Sequence, residues 1–167
     1  MRRIWFGILI AGVLILMLET GTISYFRDIE RSAGNVFQAG TWKTQADDLN
    51  VDTSSSFVSN HRLHNINVSN VGKGEITIIK LGISWQPDKG EKVTKVWVIG
   101  EQPAKVWEGN ESSNALLNIR DCSLTPPEIK EFEFLFDSEM KEKQFTIQFI
   151  MEDGSLKQVT FTPITKP

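Results

Sequence analysis

Two periodicities divide the chain. Ile4 to Leu18 is an unbroken apolar run of fifteen residues, and beyond residue 40 the apolar positions recur every second residue. Phe132, Phe134 and Phe136 alternate with Glu131, Glu133 and Leu135. Phe145, Ile147, Phe149 and Met151 alternate with Thr146, Gln148 and Ile150. Successive side chains of a strand point to opposite faces, so a period of two predicts strands with one face in a core. Between the last two apolar runs stands Glu152-Asp153-Gly154-Ser155, whose Asp-Gly pair tolerates positive φ. Residues 145–151 and 156–162 are therefore predicted to form an antiparallel hairpin.

Further upstream, residues 75–85 read as one long strand. Its apolar parity moves from Ile76 and Ile78 to Ile79, Leu81, Ile83 and Trp85. A change of parity within a strand predicts a β-bulge or burial on both faces. Residues 93–99 form another strand after the turn cluster Gln86-Pro87-Asp88-Lys89-Gly90. Short strands follow at 105–108 and 115–119, around a turn at Gly109-Asn110. Strands at 36–44 and 63–69 complete the set. The serine-rich stretch 45–62 reads as a loop, Pro126-Pro127 as a loop, and 137–142 as a short turn. The fold class expected is all-β: a single sandwich, jelly-roll or immunoglobulin-like, of about eight antiparallel strands behind a cleavable N-terminal signal helix.

The apolar run at the start has the form of an export signal. Arg2 and Arg3 precede it and Glu19 ends it at fifteen residues, short of the ~20 that a spanning helix needs. Small side chains at Thr22 and Ser24 suit signal peptidase and place the cut between Ser24 and Tyr25; Gly21 offers an earlier site. An uncleaved anchor extended to Ile23 is the other reading, since a tilted helix of that length reaches across a thin bilayer. An archaeal type IV pilin signal fits worse, because it is cut ahead of the apolar run. The division expected is 1–24 signal, 25–34 a mature N-terminal segment, and 35–167 the sandwich.

Charge and cysteine content narrow the classes. The chain carries −3 at pH 7, and residues 25–167 carry −4 once the signal is removed. Mild acidity argues against nucleic acid as a partner, which calls for a basic face. The single cysteine, Cys122, can form no internal disulfide, so the domain stands without covalent staples and Cys122 reads as a small buried hydrophobe. Asn67-Val68-Ser69 and Asn110-Glu111-Ser112 are sequons, placing candidate glycan acceptors at Asn67 and Asn110 on exposed loops or strand ends.

No catalytic, nucleotide-binding or cofactor motif stands in the sequence, and no enzyme activity or cofactor is expected. His61 and His64 lie three apart; in a strand they face opposite ways, so they read as polar loop histidines rather than half of a zinc site. Asp47, Asp48 and Asp52 lack calcium-loop spacing and read as a solvated loop. Trp85 and Trp97 read as core, and Trp107 as the most exposed tryptophan; with Trp42 they would be the members of any sugar platform. The Lys/Glu-rich stretch 128–143 reads as solvated faces and a connection.

The segment after the proposed cut, Tyr25-Phe26-Arg27-Asp28-Ile29-Glu30, leads through a polar stretch to Asn35-Val36-Phe37-Gln38-Ala39-Gly40-Thr41. An aromatic pair at the cut, an acidic residue two positions on, and Asn-x-Phe-x-Ala-Gly-Thr together resemble the mature N-terminus of the TasA/camelysin family, whose signals are cut by a SipW-type signal peptidase. The resemblance covers about residues 1–45. Ile29, Arg31 and the Thr-Ile-Ser junction depart from the family pattern. The resemblance implies a secreted structural subunit of an extracellular filament, located outside the cell or on its surface. In such filaments, related archaeal bundling pili included, the mature N-terminus adds as a strand to the next subunit. Tyr25, Phe26, Asp28 and Ile29 would form that donor strand. The partners implied are identical subunits in a homopolymer, the SipW-type peptidase, and the cell envelope or neighbouring filaments. A monomeric or membrane-anchored surface adhesion module with the same sandwich is the competing expectation.

Overall fold

The computed structural model describes residues 43–100 and 103–166. The signal, the cut at Ser24 and Tyr25, the donor residues Phe26, Asp28 and Ile29, Trp42 and most of the strand expected at 36–44 lie outside the described residues. The elements are a short helix α1 (Gln45–Asp48) and strands β1 (Leu49–Asp52), β2 (Phe57–Ser59), β3 (Arg62–Asn70), β4 (Ile76–Gln86), β5 (Lys92–Ile99), β6 (Ala104–Ser112), β7 (Ala115–Leu124), β8 (Ile129–Phe136), β9 (Gln144–Met151), β10 (Leu156–Phe161) and β11 (Ile164–Lys166).

Two sheets face each other. The seven-stranded sheet runs β11-β2-β3-β8-β5-β6, with β1 also paired to β3; the four-stranded sheet runs β10-β9-β4-β7. All pairings are antiparallel except β11 on β2, which is parallel. The inward residues of β8 meet those of the opposite sheet: Phe132 packs edge-on to Phe149, with centroids 5.6 Å apart, and Phe136 edge-on to Trp85 at 5.3 Å. Edge-to-face pairs set the negative ring face against the positive edge of a neighbour. Each fully buried phenylalanine contributes roughly 1.5–3 kcal/mol by transfer from water, and Phe132, Phe134, Phe145 and Phe149 are all fully buried. The all-β sandwich expected from periodicity is thus the fold.

The hairpin of β9 and β10 forms as predicted, with Phe161 opposite Phe145 and Gly154 at φ +80 in the turn. The parity change in β4 is a register shift between Ile78 and Lys80, seen against both neighbours, β7 and β9. Three expectations need correction. First, 45–62 is no plain loop. Thr44 and Asp47 form a capping box that starts α1, and β1 and β2 follow to line the two halves of β3. Eleven strands therefore stand among the described residues where about eight were expected. Secondly, the turn at Gly109-Asn110 does not exist, because both residues are inside β6. The chain reverses at Ser113-Asn114, where Asn114 takes φ +68. Thirdly, the stretch 128–143 is not merely solvated: Lys143 is buried at 3% exposure.

Candidate functional site

The chain crosses from one sheet to the other through β6 and β7. Among the described residues each is an edge strand, β6 bonded only to β5 and β7 only to β4. The two meet at the Ser113-Asn114 reversal. At their opposite ends, Ala104 and Val106 of β6 and Arg120 to Ser123 of β7 line a cleft of about 530 Å³. Its other walls are Val98 and Gly100 from the end of β5, and Glu128, Ile129 and Lys130 at the start of β8.

The chemistry of the cleft is mixed. Val98, Val106 and Cys122 give it an apolar side that continues into the core. Ile129, which opens β8, is 65% exposed. Lys130 Nζ reaches across to the Ser123 carbonyl at 2.5 Å and pairs with Glu128 Oε1 at 3.2 Å. That lysine and the Thr125 donors hold the Glu128 carboxyl below its usual range, against the opposing effect of its burial, which is the largest single influence. Arg120 and Asp121 are exposed at the rim. Two strand edges, an apolar floor and charges of both signs can accept an added strand, because among the described residues each edge lacks a second strand partner.

The residues singled out in the sequence are scattered. Cys122 is buried, as expected, and burial pushes its thiol up. Asn110 is exposed on the edge strand β6. Asn67, expected on a loop or strand end, instead lies within β3 between Asp52 of β1 and Glu131 of β8, and is half-buried. Trp85 is core, whereas Trp97 is only half-buried, on the outer face of its sheet. Trp107 is not the exposed platform expected. It packs against the core from β6, and a Cβ at Gly109 would collide with its ring. A glycine two residues along the same face lets the indole lie down on the strand.

Asp47 caps α1, Asp48 pairs with Lys43, and Asp52 accepts the Ser54 N–H at 2.9 Å, so the three serve local geometry. His61 is exposed in the β2–β3 turn. His64 is not a loop histidine: it lies on β3, stacked on Phe57 with ring centroids 4.6 Å apart. The cleft residues Ala104, Val106, Ile129 and Lys130 were not foreseen. The one signal in the sequence was the isolated Ile129 between charged neighbours.

No protein-family model matches the chain, and no curated protein matches it. Among solved structures, it is similar to the archaellum periplasmic stator protein FlaG from Sulfolobus acidocaldarius, at 18% identity and TM-score 0.38, over 68% of this chain and 97% of that one. It is similar to the FlaF and FlaG stator complex of the same organism, at 18% identity and TM-score 0.39, over 76% and 96%. It also aligns with the sporulation control protein Spo0M from Bacillus subtilis, at 7% identity and TM-score 0.36, over 72% of this chain and 49% of that one. At these identities and scores, none of the three places the chain in a family.

Proposed function

We propose that the chain is a structural subunit of an extracellular filament, without catalytic activity, in which residues 25–34 of one subunit add as a strand in the cleft between β6 and β7 of the next. The observation that carries this reading is the pair of strand edges flanking a cleft with an apolar floor. Ten extended residues span about 33 Å, comparable with the ten-residue β7 beside which they would lie. Tyr25 and Ile29, on one face of the added strand, supply apolar side chains for Val98, Val106 and Ile129. On the opposite face Asp28 supplies a charge for Arg120 at the rim. A head-to-tail contact of this kind does not close on itself and gives an open polymer. Cleavage by a SipW-type peptidase would free the donor.

Electron microscopy of the exported protein tests the reading. Regular fibres that disappear when residues 25–34 are deleted are expected. Cleaved protein that stays monomeric at high concentration would overturn it and favour the surface adhesion module.

A further inference from the structure

The outer face of the seven-stranded sheet carries a second constellation, remote in sequence from the cleft-lining segments of β6 and β7. Opposite β8, the register of β3 slips between Leu63 and Ile66: Leu63 faces Phe134, while Ile66 faces Phe132. One extra residue is thereby inserted, and Asn65 takes φ +60. Leu63 and Ile66 keep their places in the core, and His64 and Asn65 both remain on the outer side. Bulges of this kind re-aim side chains out of simple alternation. Here the imidazole of His64 is brought over Glu133, with Nδ1 2.6 Å from Oε1, and the Asn65 N–H donates to Glu131 Oε1 at 2.9 Å. Glu131 and Glu133 are two apart on β8 and so project from the same face.

The geometry points to a divalent transition-metal site, zinc by its ligand chemistry, formed by His64, Glu131 and Glu133. One ligand atom from each lies within 4.8 Å of the others, and among the described residues no other three such side chains converge. Zinc takes one nitrogen and two carboxylate oxygens at ~2.0–2.2 Å in a tetrahedron, whose ligand atoms stand about 3.3 Å apart. Closing the present spread asks for about 1.5 Å at most from side chains with two or three rotatable bonds. The Nδ1–Oε1 hydrogen bond would open by a smaller amount as both atoms turn to the metal. A water would complete the fourth position.

The surroundings suit such an ion. Arg62 Nη1 binds the other oxygen of Glu133 at 3.2 Å, fixing that carboxylate without engaging Oε1. Stacking on Phe57 fixes the plane of the His64 ring. Side-chain exposures of 19% for His64 and 13% for Glu133 make the site shielded yet reachable. Glu131 and Glu133 carry two negative charges, of which the Arg62 guanidinium engages only Glu133; a further cation, Lys166, sits over the Phe57 ring 3.7 Å from its centroid. A triad of His64, Glu133 and Arg62 held by hydrogen bonds alone is the metal-free alternative, and in that arrangement Glu131 has no role beyond accepting from the Asn65 N–H.

The test uses the exported chain, carrying no histidine tag, titrated with zinc by calorimetry and with cobalt(II) by visible absorption. One equivalent of zinc and a visible cobalt(II) band of the tetrahedral type are expected, since the ligand set suits four-coordination. Glu131→Gln and His64→Asn should each weaken binding by at least ~10-fold, with circular dichroism unchanged. Absence of zinc heat and of the cobalt band, or binding that survives both substitutions, would overturn the site. The filament reading is independent of either result.

Discussion

Lys143 Nζ lies 2.6 Å from Glu91 Oε1, and the two side chains are 4% and 8% exposed. The pair joins the start of β5 in one sheet to the start of β9 in the other. Both groups have further partners. Glu91 Oε2 accepts from the Trp85 indole at 3.2 Å and the Lys89 N–H at 2.9 Å, and Lys143 donates to the Pro87 carbonyl at 2.5 Å. Burial acts to raise the Glu91 carboxyl and is the largest single influence. The Lys143 ammonium and the Lys89 and Trp85 donors together outweigh it, bringing the group from 4.5 down to about 2.

A folded value below the unfolded one means stability that is present above pH ~4.5 and lost as pH falls towards 2. The shift corresponds to about 3 kcal/mol. Glu91→Gln should lower stability by about 3–5 kcal/mol near pH 7, because Lys143 is left buried and unpaired. The difference from the native chain should shrink below pH 4. Chemical denaturation at pH 7, 4 and 3 measures it. A constant difference across that range would dismiss the linkage.

Ile129 tests the cleft. Its side chain is mostly in water in the isolated subunit, so Ile129→Glu should change stability by no more than ~0.5 kcal/mol. The same substitution places a charge where the donor strand's apolar side chains would sit, and fibres should be absent or shortened. Thermal melts and negative-stain images of one preparation separate the two effects.

Cys122 faces the same cleft from beneath. With its thiol pushed up by burial, modification by an aromatic disulfide reagent at pH 8 should be slow in the native chain and fast after denaturation. Rapid labelling of folded protein would show that β7 opens locally.

The two sequons should behave differently in a host that glycosylates asparagine. Asn110 is exposed on an edge strand, and peptide mass spectrometry should find it modified. Asn67 is flanked on both sides by paired strands and should remain bare in folded material.

Local pattern and tertiary partnership explain what the sequence made legible. The β9–β10 hairpin and the slip within β4 were readable, because parity and an Asp-Gly turn act over a few residues. The reversal was misplaced, since Asn110 and Asn114 both tolerate positive φ. The register of β6 against β5, with Lys92 opposite Ser112, decides between them. Burial of Lys143 depends on Glu91, 52 residues away, and the placing of His64 depends on Glu133, 69 residues away. Neither distance leaves a mark on hydrophobic periodicity. The cleft is a vacancy between two sheets and has no motif of its own.

The short antiparallel contact of β1 with β3 has a mechanical side. Tension applied from the N-terminal direction reaches α1 and then β1, which four residue pairs from Leu49–Asn70 to Asp52–Asn67 hold to β3. Release of residues 43–52 would draw Ala46 and Leu49 out of the core, while β3 stayed held on its other side by β8. A subunit loaded in this way would yield first at its N-terminal edge.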